Sequence, residues 1–414
     1  MTHPLTAIPN AFHSGKHLGI TSVCSAHPIV IEAALRLAKK NGRPALIEAT
    51  CNQVNQDGGY TGMTPADFRI FVEEIAGRVG LPIENIILGG DHLGPNPWKS
   101  LPADEAMAKA EVMIAAFAAA GFTKLHLDCS MGCLDEPVAL DDAVTAERAA
   151  KLASVAEAHK ASVEPVYIIG TEVPVPGGAL EELDHLAVTT TDAVTETYTI
   201  QKRSFQAAGQ DAAFSRVIGM VVQPGVEFGH SDVIQFEPSK AKALTEKLQT
   251  MSGIVFEAHS TDYQSISGLS ALVEGGFSIL KVGPWLTFAL REALYGLDAI
   301  SDVLDGHAPQ NRLMDAMEAI MADKPDNWAK YYEGNAEELF VQRHFSFSDR
   351  IRYYWPDQQA VQAVEALRSR IRDKDIPAPL LAQYLPNVSP DSFDGMLIQA
   401  VTNVLEAYDS ATLQ

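Results

Sequence analysis

The chain has 414 residues, 47% hydrophobic and 20% charged, a balance that excludes disorder as the main state and leaves apolar area for a large core. Length alone admits two or three domain-sized units, or one α/β barrel of about 250 residues with an appendage. With 31 basic against 53 acidic side chains the formal charge is −22, which argues against a nucleic-acid partner held by phosphate contacts and against adsorption to an anionic membrane. An anionic substrate stays open, because amides, a metal or a few arginines can reverse the sign inside a cleft. No uncharged apolar run reaches the roughly 18 residues of a membrane span; the most apolar helix-like stretch, Val112 to Phe122, is short. The N-terminus lacks the order of a signal peptide. The four cysteines, Cys24, Cys51, Cys129 and Cys133, show no C-x-x-C spacing, so reduced thiols in the cytoplasm are expected.

Residues 1–17 read as an N-terminal arm. From there a short apolar run, a polar loop and a longer amphipathic stretch alternate. Expected strands are Gly19–Cys24, Ala45–Ala49, Asn85–Gly89, Lys124–Asp128, Ser162–Ile168, Arg216–Val222, Gly253–Glu257 and Phe277–Val282. Between them, Ile29–Lys40 has helical apolar spacing and stops at Asn41-Gly42. Thr64-Pro65-Ala66-Asp67 is a helix start with an N-cap, Pro at the first position and an acid at the third. Asp104–Ala120 and Asp141–Lys160 repeat the scheme. Eight strand–helix alternations favour a closed (β/α)8 TIM barrel over residues 18–300. Residues 301–414 lack the strand signal and read as a C-terminal helical extension, with helices such as Asn311–Ala322 and Asp357–Arg372. Within it Ser346 to Pro356 (SFSDRIRYYWP) is dense in Arg and aromatics; it reads as a lid or interaction surface, or as a helix docking its aromatic face on the barrel.

The strands end repeatedly in polar residues, as expected where the C-terminal face of a barrel is functional. His92 (in GGDHLGPNPW), His230 (ending VVQPGVEFGH) and His259 (in FEAHSTD) follow the third, sixth and seventh strands. Three neutral imidazoles converging at a barrel mouth match a divalent site for zinc or a related ion. Asp91 is placed to move a proton on a polarised substrate. Glu172, in GTEVPVPGG, is a further ligand or second base, and Gly177-Gly178 suits a mobile loop. Asn52, Gln53, Ser130, Ser260 and Asp262 are candidate substrate contacts. Lys281 reads as a phosphate or carboxylate contact, or a structural residue, in preference to a Schiff-base lysine. Cys24, Cys51 and Cys129 read as packing thiols.

The order D-H, D-x-S, E-x(4)-G-G, G-H and a final His after strands three to seven resembles the class II, metal-dependent ketose-bisphosphate aldolases. More closely, GGDHLGPNPW, EATCNQVNQDGGYTGM, LDCSMGC, GTEVPVPGG, EAHSTDYQ and SDRIRYYWP resemble the GatZ/KbaZ family, from about Gly19 through Pro386. That family is known as the large accessory subunit of tagatose-1,6-bisphosphate aldolase and also carries the name tagatose-6-phosphate kinase. Neither G-x-x-x-x-G-K-[ST] nor a kinase-type Gly-rich loop is present, so an ATP-dependent kinase is disfavoured. The resemblance implies His92, His230 and His259 as metal ligands and Asp91 as the proton-transfer residue. Two departures stand out. Ser260-Thr261-Asp262 replaces the Gly-rich turn after the last histidine, and Lys281-Val282-Gly283-Pro284-Trp285 replaces an Asn-containing motif. Asp262 would repel a phosphate in the usual place.

Two roles in ketohexose-phosphate metabolism follow. In one, the chain supports a smaller catalytic class II aldolase subunit. In the other, it is itself a metal-dependent aldolase or C4 epimerase using retro-aldol chemistry on a ketose phosphate. An oligomer is expected in either case.

Overall fold

The computed structural model describes residues 3–170 and 186–413. Eight parallel strands close into a barrel. They are β1 (Ile20–Cys24), β2 (Ala45–Thr50), β3 (Ile86–Leu93), β4 (Lys124–Leu127), β5 (Val166–Ile169), β6 (Val217–Val221), β9 (Val255–Ala258) and β10 (Phe277–Val282). A short antiparallel hairpin, β7 (Glu227–Phe228) with β8 (Val233–Ile234), stands outside the barrel between β6 and β9. The last strand closes on the first, Ile20 facing Ile279 and Val23 facing Val282. The (β/α)8 TIM barrel with a helical C-terminal extension is therefore the fold, and all eight expected strands are its staves.

Local chemistry sets the helix boundaries. Helix Pro65–Val79 starts on a reciprocal capping box, Thr64 with Asp67, and stops at Gly80 with φ 72°. Helix Pro28–Asn41 stops at Gly42 with φ 64°, a left-handed conformation that glycine adopts without strain. No helix among the described residues is long and apolar enough to cross a membrane.

The extension does not sit apart from the barrel. Its final helix, Phe393–Thr412, packs against helices Pro28–Asn41, Ile266–Glu274 and Pro284–Leu304 and against β1. Thr412 accepts a backbone hydrogen bond from Gly19 at 3.2 Å, Asp409 pairs with Arg43 at 3.1 Å, and the Tyr408 hydroxyl donates to the Thr261 carbonyl at 2.7 Å. A boundary at residue 300 thus cuts through one packed unit. The N-terminal arm is likewise packed: Leu5, Ile8 and Phe12 are buried, and His13 bonds the Ile254 carbonyl at 3.0 Å.

Candidate active site at the barrel mouth

A cavity of about 400 Å3 opens at the C-terminal ends of the strands, within the size range of small-molecule sites. Asp91 and His92 of β3, His259 after β9 and Lys281 of β10 face it, and Asn52, Gln53, Ser260 and Asp262 form part of its wall. His92 and Ser260 hold φ values of 49° and 52°. A non-glycine residue there costs about 1 kcal/mol, and such strain gathers at functional sites.

Beneath the cavity the barrel is filled with charge where most such barrels carry branched apolar side chains. Lys281 pairs with Glu48 of β2 and, at 2.9 Å, with Asp91. Lys124 of β4 has no exposed side-chain surface and lies 2.6 Å from Glu48 and 2.7 Å from Glu257 of β9. The Lys124 contacts are close approaches of opposite charge more than well-aligned hydrogen bonds. Gly89 on β3 makes room for Glu48, since a Cβ there would stand 2.6 Å from the Glu48 Cγ. Burial opposes the charge on Lys281, but Asp91, Cys24 and Glu48 keep its ammonium well above the ordinary range. Burial also opposes ionisation of Asp91, yet His92, Lys281 and a hydrogen bond from His126 hold its carboxyl well below the usual range. Asp91 is thus an ionised carboxylate at the cavity floor.

Three imidazoles do converge, but His126 of β4 takes the place expected for His230. The rings of His92, His126 and His259 lie 5.0, 5.0 and 5.3 Å apart by centroid. Each rests one nitrogen on a carboxylate: His92 Nδ1 on Asp128 at 2.8 Å, His126 Nδ1 on Asp91 at 2.9 Å and His259 Nε2 on Glu257 at 2.9 Å. His230 is elsewhere. Strand β6 ends at Val221, and the chain runs on through the hairpin turn, which carries His230 away from the mouth. There its Nε2 bonds the Tyr331 carbonyl at 2.9 Å, Nδ1 meets the Ser348 hydroxyl at 3.3 Å, and the ring packs edge-on against Tyr332. It anchors the C-terminal extension.

Ser130 does not reach the cavity lining; its hydroxyl donates to Asp128 at 2.7 Å and so steadies the partner of His92. Glu172 and Gly177-Gly178 lie outside the described residues. Cys24 is partly buried and lines the cavity, its Sγ 3.5 Å from Asp91, while Cys51 and Cys129 are buried. Burial pushes all three thiols up, which suits packing and not nucleophilic attack.

The donors suit a divalent cation. Atoms of Asp91, His126, Glu257 and His259 lie within 4.8 Å of one another, with the His92 ring beside them. The Nε2 of His126 is buried without a hydrogen-bond partner, and an imidazole whose other nitrogen donates to a carboxylate is the usual arrangement of a metal-bound histidine. Burial holds His259 down at about 4 despite Glu257, so it is a neutral imidazole at neutral pH. Three buried carboxyl groups, Glu48, Asp91 and Glu257, face two ammonium groups, Lys124 and Lys281, while a fourth, Asp128, meets His92. A second group of donor atoms, from Cys24, Glu48 and Asp91, surrounds the Lys281 ammonium and is already answered by it.

His126, Glu48, Lys124 and Glu257 escaped the sequence reading, which weighed strand ends. Their signal is the alternation within strands: in Lys124-Leu125-His126-Leu127 the polar residues share one face and the leucines the other. Because helices cover the outer face of a barrel strand, the polar set must point inward. Glu227 was missed as well. It is buried, its carboxylate accepts from the Phe228 amide at 3.0 Å, and burial raises it to about 7 against a hydrogen bond from Ser260.

The segment dense in Arg and aromatics forms one wall of the cavity through Arg352, Tyr353, Trp355 and Pro356. Asp349, with φ 45°, fastens it to helix Pro284–Leu304 by pairing with the buried Arg291 at 2.8 Å and accepting from Thr287 at 2.7 Å.

A solved structure described as a probable tagatose 6 phosphate kinase from Sinorhizobium meliloti 1021 superposes with a TM-score of 0.88 at 55% identity, covering 95% of this chain and 100% of that one. The YdjI aldolase from Escherichia coli K12 gives a TM-score of 0.44 at 12% identity, covering 91% and 100% of the two chains. A fructose-bisphosphate aldolase from Campylobacter jejuni gives 0.43 at 16% identity, covering 89% and 91%. The last two scores are too low to bear on chemistry. Residues 5–413 match the family described as D-tagatose-1,6-bisphosphate aldolase subunit GatZ/KbaZ-like, and with nearly the whole chain matched, this protein belongs to that family.

Proposed function

We propose that the chain serves ketohexose-phosphate metabolism as a subunit of a tagatose-1,6-bisphosphate aldolase, supports a catalytic class II subunit, and binds a ketose phosphate in its own barrel mouth. Cytoplasmic placement accords with that role. The observation that carries the proposal is the gathering of Asp91, His92, His259 and Lys281, from three different strands, around one cavity. Stabilising a partner requires no such cavity. The kinase description belongs to the Sinorhizobium neighbour; this chain has no phosphate-binding Walker loop.

His126 and His259 are the residues proposed to hold a divalent cation, zinc by donor type, with His92 and Glu257 adjacent. When bound, such an ion polarises a carbonyl and stabilises developing negative charge. Asp91 is placed to take or return the proton of a substrate hydroxyl, and Lys281 fixes its orientation and charge. Asp128 orients His92, and Glu257 orients His259. Glu172 stays a proposed second base.

A second reading, an independent aldolase or C4 epimerase, is favoured by the ionised Asp91 on an open cavity floor. Loss of the hydroxyl proton to Asp91 and opening of the adjacent C–C bond leaves an enediolate and an aldehyde. Re-closure on the other aldehyde face inverts that carbon. Purified chain would be assayed with fructose and tagatose phosphates, with and without added divalent metal, and mixed with a catalytic class II subunit. Longer half-life of the partner supports the subunit role, turnover by the chain alone supports the second reading, and no metal, turnover or partner effect removes both.

A further inference from the structure

Barrels of this kind commonly hold phosphate on backbone amides after their last two strands, at a helix N-terminus. Here the corresponding amides are taken. Asp262 Oδ1 accepts from the Gly283 amide at 3.1 Å and the Trp285 amide at 2.8 Å, where helix Pro284–Leu304 begins. The carboxylate of the chain itself fills the cradle, so an anionic substrate group must be met elsewhere in the cavity.

The other cation on the cavity wall is Arg352. Among the described residues it has no carboxylate within 4 Å, whereas Arg291, Arg343, Arg368 and Arg370 are each ion-paired. Its guanidinium is held from behind: Nη1 donates to the Ser348 and Asp349 carbonyls and Nη2 donates to the Tyr353 hydroxyl at 2.9 Å. The Asp349 clasp on Arg291 fixes the segment that carries it. An arginine anchored through neutral oxygens keeps its charge for a ligand, and its planar fork matches a phosphate.

Resting on the ketose-phosphate reading above, we infer that Arg352 is the phosphate-binding residue of this cavity, delivered by the C-terminal extension in place of the amide cradle that Asp262 occupies. The extension then completes the substrate site, with the reacting carbons over Asp91 and the phosphate toward Tyr353.

Calorimetric titration of the full chain with tagatose 6-phosphate, free tagatose and inorganic phosphate tests this, for wild type, Arg352→Gln and Arg352→Lys. Arg352→Gln is expected to weaken tagatose 6-phosphate and inorganic phosphate roughly 10- to 100-fold, with free tagatose within about twofold and a cooperative unfolding transition retained. Should Arg352→Gln fail to fold, Arg352→Lys decides, by a smaller loss confined to the phosphorylated probes. Undiminished phosphate binding in a folded variant, or equal weakening of free and phosphorylated sugar, overturns the inference while leaving the ketose site standing. Wild type that binds free tagatose but no phosphate overturns it too. Wild type that binds neither sugar sinks the functional reading, and the inorganic phosphate arm then decides on Arg352 alone.

Discussion

The barrel interior and the segment Ser346–Pro356 handle positive charge in opposite ways. Inside the barrel, Lys124 and Lys281 each contact two carboxylates from other strands. In the segment, Arg350 and Arg352 donate to backbone carbonyls and lie against tyrosine rings, Arg350 over Tyr331 at 3.3 Å and Arg352 over Tyr353 at 4.5 Å. Charges that close on one another build a scaffold. A charge left open toward a cavity remains available to a ligand. Both regions border one cavity, where the closed network fixes Asp91 and the open cation is the one proposed to meet a phosphate.

The comparison breaks most sharply at Lys124. Lys124→Met leaves Glu48 with Lys281 alone and Glu257 with His259 alone, and should destabilise the fold by about 3 kcal/mol, read as a lower denaturant midpoint at neutral pH. Adding Glu257→Gln should recover part of the loss; a single variant as stable as wild type would mean the network holds nothing together.

Glu227 is a case of the opposite kind, a buried carboxyl with no ion-paired cation among the described residues, held up at about 7. Its folded value lies above the unfolded one, so its contribution is fully present below about pH 4.3 and fades as pH rises through 7. Relative to Glu227→Gln, wild type should lose roughly 2–3 kcal/mol between pH 4 and pH 8. Unfolding free energies at the two ends would show it, and a gap between the proteins that stays constant with pH would refute it.

His126 and His230 separate the two regions by substitution. His126→Ala should weaken divalent cation binding at least about 10- to 100-fold in a chelator competition. His230→Ala should leave the cation in place and cost about 1 kcal/mol by loosening the extension at Tyr331. Reversal of these outcomes would restore the metal set first expected from the sequence.

Smallest of all, Tyr408→Phe removes a buried hydroxyl that meets both the carbonyl and the hydroxyl of Thr261 and should cost about 1 kcal/mol in thermal or denaturant unfolding. A neutral result would mean that this hydroxyl adds nothing to the docking of the final helix.

The strands, most helix boundaries and the functional face were legible because each rests on local rules. Period, capping and glycine stops act over a few residues, as at Thr64 to Gly80. Asp91, His92 and His259 were legible for the same reason, as polar residues at the ends of apolar strands. His230 misled because its sequence context looks like a strand end, and only the hairpin β7–β8 shows that the chain has turned away.

By itself, then, the sequence determined eight alternating units, an acidic surface and a polar barrel mouth, all consequences of short-range pattern and composition. Tertiary structure alone decided that His126 joins His92 and His259, that Asp262 caps amides a phosphate would otherwise take, and that Arg352 from the extension completes the cavity. The physical reason is distance along the chain. Lys281 meets Glu48 and Arg352 meets the cavity only after barrel closure brings remote segments together, and no local periodicity records which charge will find which.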